Sequence, residues 1–369
     1  MIFKRKPKKE YIEIGPKQPN WFRRHKKLAI ILSIAIVLVV SGGVATALYF
    51  INKKPAETPA PARVVKTVPK PEAPKFYSPL SGNVVADDAA TKQAVTAIMI
   101  ENSPDARPQS GLKNNGVVFE AIAEGGITRF LVLYQQEKPT LVGPVRSVRM
   151  YFVDWLAAFN ASVAHVGGSL AALKEVRNGS YRDIDQFFNS NSYYRAGDRY
   201  APHNVYTSFE RLDALNAAKG YTSSTFTGFT RKDSVARAAP AATAINVTIS
   251  SALYNSSYAY NTTTNTYDRS EGSVPHLDRE SGQISPRVVV VMKIPERTVL
   301  EDGYREQIDA IGSGAATIFQ DGTVQQVTWN KSSMTNQITF ADANGKDVPL
   351  ARGQTWLTSV PEGGGVTWQ

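Results

Sequence analysis

From Leu28 to Ile51 the chain runs 24 residues without a charged side chain, LAIILSIAIVLVVSGGVATALYFI. As a helix this run measures about 36 Å, enough to cross a hydrocarbon core of about 30 Å with some tilt. A core helix of that length carries a polar face, and this run has none. Trp21 and Phe22 precede it and Tyr49 and Phe50 end it, as side chains at two membrane interfaces do. A cleaved signal peptide is the rival reading, but its apolar core is shorter, and this run ends in Leu-Tyr-Phe-Ile rather than in small residues.

Seven prolines then fall within residues 52–79, which reads as an extended, semi-rigid spacer. From Pro79 to about Lys232 short apolar runs alternate with helical spacing. AVTAIMI (94–100), GVVFEAI (116–122), TRFLVLYQ (128–135) and ASVAHVG (161–167) predict buried strands. VRMYFVDWLAAFN (148–160) puts Val148, Phe152, Trp155, Leu156 and Phe159 on one helical face. Ser169 opens a second helix that ends at Gly179, and Thr207 or Ser208 opens a third that ends at Gly220. After about Ser234 the helical period fades. NVTIS, SSYAYNTTTNTYDR, RVVVVMKIP, ATIFQDGTVQQVTWN, QITFADANGKDVPL and QTWLTSV predict strands, with turns at Gln320-Asp321-Gly322 and Ala343-Asn344-Gly345.

The fold class expected is therefore α+β or α/β: a mixed α/β domain followed by a mostly antiparallel β domain, behind one transmembrane helix. The expected divisions are a basic cytoplasmic tail 1–27, the helix 28–51, a Pro-rich linker 52–79, an α/β ectodomain 80–235 and a β-rich domain 236–369.

Charge fixes the orientation. The formal net charge is +10, but it is not spread evenly. Residues 1–27 hold ten basic and two acidic side chains, 28–75 hold six and two, and 76–369 hold 26 and 28. The positive-inside rule puts the N terminus in the cytoplasm and residues 52–369 outside the cell membrane. The body beyond the linker is close to neutral, so its field does not recruit nucleic acid. The chain has no cysteine, which excludes disulfides, thiolate metal sites, a cysteine nucleophile and a lipidated cysteine.

Candidate chemistry is sparse. No phosphate-binding loop, nucleophile elbow or zinc-protease motif occurs, no spacing matches a metal site, and no cofactor is indicated. His165 stands before Gly167-Gly168-Ser169 at the end of a strand, where free N–H groups suit an anion; equally, the glycines would only form a turn and His165 a core hydrogen bond. In GPVRSVRMYFVDW, Arg146 and Arg149 are three apart and would share a helical face, able to grip a phosphate or carboxylate, or to pair with Asp154 or Glu120. Glu120, Glu124 and Asp154 could serve as bases or hold a cation, and EAIAEGGITRF also reads as a hairpin.

The runs ENSPDARPQSGL, VVFEAIAEGGITRFLVLYQ, GPVRSVRMYFVDWLA, AHVGGSLAAL, RYAPHNVYTS, PHLDRESGQ, IGSGAATIFQDGTVQQVTW and GQTWLTSVPEG resemble the YerB-like family of bacterial extracytoplasmic proteins, over about residues 78–369 and in the same order. The resemblance implies two modules and no known reaction. It points to Arg107, Glu120, Arg129, Arg146, Arg149, His165, Arg199, His203 and Asn204 as signature positions. Many members are held by a lipidated cysteine, which this chain lacks, and Met150 stands where the family tends to have proline.

The resulting expectation is an envelope protein that binds an anionic wall glycan or lipid phosphate through Arg107, Arg129, Arg146, Arg149, His165, Arg199, His203 and Asn204. Arg146, Arg149, His165 and His203 are expected to converge. The alternatives are an envelope transferase or hydrolase using Glu120, Asp154 or His165, and a scaffold that holds a wall enzyme. Separate salt bridges would favour the scaffold.

Overall fold

The computed structural model describes residues 25–53, 75–299 and 305–369, and the chain divides into two compact units, Met1–Glu72 and Ala73–Gln369. Most of the expected basic tail and linker (1–24 and 54–74) lies outside the described residues. In the first unit α1 (Lys26–Asn52) is one unbroken helix with no buried residue. It is long and apolar enough to cross a membrane.

The second unit is built on β1 (Thr96–Glu101), β2 (Val117–Glu124), β3 (Ile127–Tyr134), α2 (Met150–Leu156), β4 (Ser162–Ala164), α3 (Leu170–Val176), β5 (Arg182–Asp183) and α4 (Phe209–Ala218). It continues with β6 (Ala244–Thr248), β7 (Ser256–Asn261), β8 (Thr266–Glu271), β9 (Val274–Pro275), β10 (Val288–Lys293), β11 (Glu296–Val299), β12 (Arg305–Ile308), β13 (Gly312–Gln320), β14 (Thr323–Lys331), β15 (Thr339–Ala341), β16 (Thr355–Val360) and β17 (Gly365–Trp368).

A mixed sheet of twelve strands runs β15-β14-β13-β10-β16-β2-β3-β1-β4-β5, with β12 paired to β2 and β11 to β12. Strands on both sides of the expected division at residue 235 share it. The join is parallel: β16 lies on β2 with Thr355 opposite Val117 and Thr358 opposite Glu120. The later strands add antiparallel pairs around β13, while β9-β8-β7-β6-β17 form a second, antiparallel sheet of five strands. The hairpins follow turn chemistry. Gly125 and Gly126 link β2 to β3, and Asp321 and Gly322 link β13 to β14, all four with positive φ.

Being covered on both faces, β2 shows its period of two as two different cores. Val117, Phe119 and Ala121 pack against α2, where Phe119 stacks on Trp155 with ring centroids 5.1 Å apart. Val118 and Ile122 point the other way, into apolar clusters with Trp356 and with residues of the five-stranded sheet respectively. Glu120 shares this second direction and is fully buried.

Candidate functional site

The eight expected ligand residues do not form one site. Four, Arg107, Arg146, Arg199 and His203, are engaged with the loop that leaves β1, residues 101–109, and Asn204 stands behind Arg199. Glu101 Oε1 accepts from His203 Nδ1 at 2.8 Å and Ser103 Oγ at 3.0 Å, and pairs with Arg146 Nε at 3.2 Å. Arg107 donates to Asn102 Oδ1 and to the Asn102 carbonyl, and reaches across to the Leu253 carbonyl at 2.9 Å. Arg199 donates to the carbonyls of Asp105 and Pro108 at 2.9 and 2.6 Å. Asn204 ties the Arg199 carbonyl to the Arg195 guanidinium. Arg146 and His203 thus meet, as expected, but over a carboxylate of the protein itself.

Arg149 lies elsewhere, and the reason is conformational. Arg149 is the extended cap residue before α2, and the chain before it makes β-bridges at Val145 and Val148. Residues three apart on extended chain face opposite ways, so Arg146 and Arg149 do not share the helical face their spacing suggests. Arg149 instead joins Arg129 on Glu124: Arg129 Nη2 donates to Oε1 at 2.8 Å and Arg149 Nη2 to Oε2. Burial acts to raise the Glu124 pKa, but the two guanidiniums outweigh it and hold the group at about 2. Two arginines face one glutamate here, and the Nε atoms of both are buried without a hydrogen-bond partner. Arg149 also walls a cavity of about 280 Å³ between α2, α3 and β12, together with Tyr151, Asp154, Ser169 and Glu306. Burial raises the Asp154 carboxyl to about 6, against the opposing effect of Lys331.

The depressed Glu124 pKa carries a pH prediction. A carboxylate that ionises more readily in the folded state stabilises the fold above its unfolded pKa, here 4.5, and that contribution is lost as pH falls toward 2. Wild type is expected to lose roughly 3 kcal/mol of stability across that window through this group. Glu124→Gln is expected to be weaker at pH 7 and flatter below pH 4.5, as acid-unfolding curves followed by circular dichroism would read.

His165 is fully buried, and the expected anion site beside it is already filled from within. Its Nδ1 donates to the Gly167 carbonyl at 2.8 Å and its Nε2 lies 3.1 Å from Asp183. The Gly167 N–H donates to Asp185, whose other oxygen takes the Arg177 guanidinium at 2.6 Å. The carboxylates of RDID lie in the place expected for a ligand, and both nitrogens of the buried imidazole are engaged by the protein's own groups.

Glu120 is likewise removed from the candidate bases. Arg269 Nη2 donates to both its oxygens at 2.9 Å, and Trp356 Nε1 and Thr358 Oγ1 donate to Oε2 at 2.8 and 3.2 Å. Neither member of the pair is exposed, and the Arg269 guanidinium lies 4.5 Å over the Trp356 ring. Sequence reasoning missed Arg269 and Glu271. The signal was present in TYDRSE, where strand alternation puts Tyr267, Arg269 and Glu271 on the same buried face.

The arrangement therefore offers a half-closed cavity beside two buried arginines that share one glutamate, and a loop held by several charged side chains. Among the described residues no cluster of His, Asp and Glu is arranged to hold a metal ion.

Two family models match the chain, both described as protein of unknown function DUF3048: the N-terminal domain over residues 80–222 and the C-terminal domain over 245–357. YerB of Bacillus subtilis strain 168, a protein named as a lipoprotein, is 32% identical over 299 residues, which is 79% of this chain and 88% of that one. The crystal structure of YerB from Bacillus subtilis superposes with a TM-score of 0.71 at 29% identity, covering 79% of this chain and all of that one. With both domain models matched in order and a relative matched over most of its length, the chain belongs to the YerB-like, DUF3048 family.

Proposed function

We propose that the protein is a single-pass, membrane-tethered binding protein of the cell envelope, with residues 1–27 cytoplasmic and the body after the 52–79 linker outside. Its ligand is anionic, a wall glycan or a lipid phosphate, and is taken in the Arg149 cavity. The lipoprotein name of YerB supports the compartment, with α1 in the role of the lipid anchor. The observation that carries the ligand is the pair of buried guanidiniums on the single Glu124 carboxylate: both Nε–H groups lack a partner, and one of the two arginines, Arg149, lines the cavity. Buried donors without acceptors cost free energy that an anion would relieve.

Inorganic phosphate is the simplest probe. Added to the detergent-solubilised full chain at constant ionic strength, it is expected to raise the unfolding temperature of wild type and to leave Arg149→Met unmoved. Equal shifts in both proteins, or none in either, would overturn the reading. The enzyme alternative now rests on Asp154, because Glu120 and His165 are locked.

A scaffold is the second reading, favoured by the braced loop. Arg107, Arg146, Arg199 and His203 fix residues 101–109, with Asn204 holding the Arg199 carbonyl; within the loop Asp105 is 83% exposed, and Tyr200, beside Arg199 in the chain, is 92% exposed. A rigid loop with an exposed tyrosine suits a protein partner.

A further inference from the structure

A second cleft lies between the 104–108 turn and β9. It has a volume of about 220 Å³ and is walled by Arg107, Pro108, Glu271, Val274, Pro275 and Leu277. Val274 and Leu277 are exposed apolar side chains, 59% and 43%, whereas Glu271 is buried. Glu271 Oε1 accepts from Asn102 Nδ2 at 2.6 Å and lies 3.4 Å from Arg107 Nη2. Its Oε2 is buried with no hydrogen-bond partner.

The neighbouring histidine cannot supply one. Gln109 Nε2 donates to the Glu101 carbonyl and to Asn102 Oδ1, which leaves Gln109 Oε1 to accept from His276 Nε2. Arg269 Nη1 donates to His276 Nδ1 at 3.0 Å, so that nitrogen carries a lone pair and not a hydrogen. It stands 3.6 Å from Glu271 Oε2, beyond hydrogen-bond distance. Glu271 therefore lines an apolar cleft with its Oε2 buried and without a hydrogen-bond partner, and burial raises the pKa of its carboxyl against the opposing pull of Arg269 and Arg107.

We propose that this cleft is a binding site for the acetamido group of an N-acetylated sugar. The donor that completes Glu271 is neutral, because Arg107 and Arg269 already flank the carboxylate with positive charge. Arg107 uses three of the five N–H groups of its guanidinium in hydrogen bonds to Asn102 and Leu253, and even with the Glu271 contact one remains for a carbonyl. A donor and an acceptor side by side match the N–H and C=O of one amide, and the acetyl methyl falls against Pro108, Val274 and Leu277. An added peptide strand fits less well: β9 is the edge of the five-stranded sheet, and Pro275 has no N–H to give it. The volume, roughly that of seven waters, suits one sugar ring. The site uses none of the residues around Arg149 and stands or falls apart from that cavity.

The test is saturation-transfer NMR on the detergent-solubilised full chain with N-acetylglucosamine. Transfer is expected to be strongest at the acetyl methyl and absent for glucose and glucosamine. Glu271→Gln, which replaces the orphan acceptor by a donor, is expected to weaken binding at least tenfold. Leu277→Glu alters a side chain that is 43% exposed, is expected to leave the circular dichroism of the body unchanged, and is expected to weaken binding likewise. Equal transfer to glucose, tighter binding of N-acetylalanine methylamide than of the sugar, wild-type affinity in both variants, or no transfer to wild type would each overturn the proposal.

Discussion

Glu120→Ala is expected to destabilise the folded body by about 3–5 kcal/mol, which is enough to leave a marginal domain largely unfolded at growth temperature. The substitution strands the Arg269 guanidinium in a fully buried position. It also removes the acceptor of Trp356 Nε1 and Thr358 Oγ1, so three donors on two distant strands lose their partner together. Glu271, 3.7 Å from Arg269, is too far for a hydrogen bond and recovers only part of the loss. A cycle with Arg269→Met separates pair from packing. The double variant Glu120→Ala, Arg269→Met is expected to be more stable than Glu120→Ala alone, because no guanidinium is left stranded, while the loss that remains reports Trp356 Nε1 and Thr358 Oγ1 without their acceptor. Urea unfolding of the four proteins measures this, and a single variant as stable as wild type would refute the assignment.

Placing aspartate at both Val37 and Val39 is expected to move the protein from the membrane fraction to the soluble or degraded fraction. Both positions lie in the middle of α1 and are exposed, 65% and 75%. A central aspartate costs about 2.5–3.5 kcal/mol in a membrane helix, so two of them cancel the gain from the surrounding leucines and isoleucines. The proposed orientation is read on the parent: protease applied to intact cells after wall removal should digest the body after the linker and spare the basic tail. A body that survives this treatment would place it inside.

Much of the fold was legible because its signals are local. The membrane run, the strands at 94–100, 116–122 and 128–135, the helix around Trp155 and both positive-φ hairpins follow from periodicity and turn residues read within a dozen positions. Ser208 caps its helix as expected, accepting from the Arg211 N–H; Ser169 starts its helix without a side-chain cap. The partners of the charged residues were not legible. Arg146 could be seen to need an anion, but nothing near it in sequence says that Glu101 provides it, or that Arg269 lies on Glu120. Those pairings depend on strand register between segments far apart, and a helical reading of residues 146–149 fails one residue before the helix begins.

The seam between β2 and β16 also dictates when this molecule can finish folding. Glu120 and Thr358, opposite each other there, are separated by 238 positions. A polypeptide emerging across the membrane from its amino end presents β2 long before its mate arrives, and an unmatched strand edge invites pairing with other chains. Secretion of this body therefore calls for protection of that edge until Thr355–Val360 has crossed, and a nascent copy cut short before Thr355 would be a substrate for quality-control proteases rather than a smaller working domain.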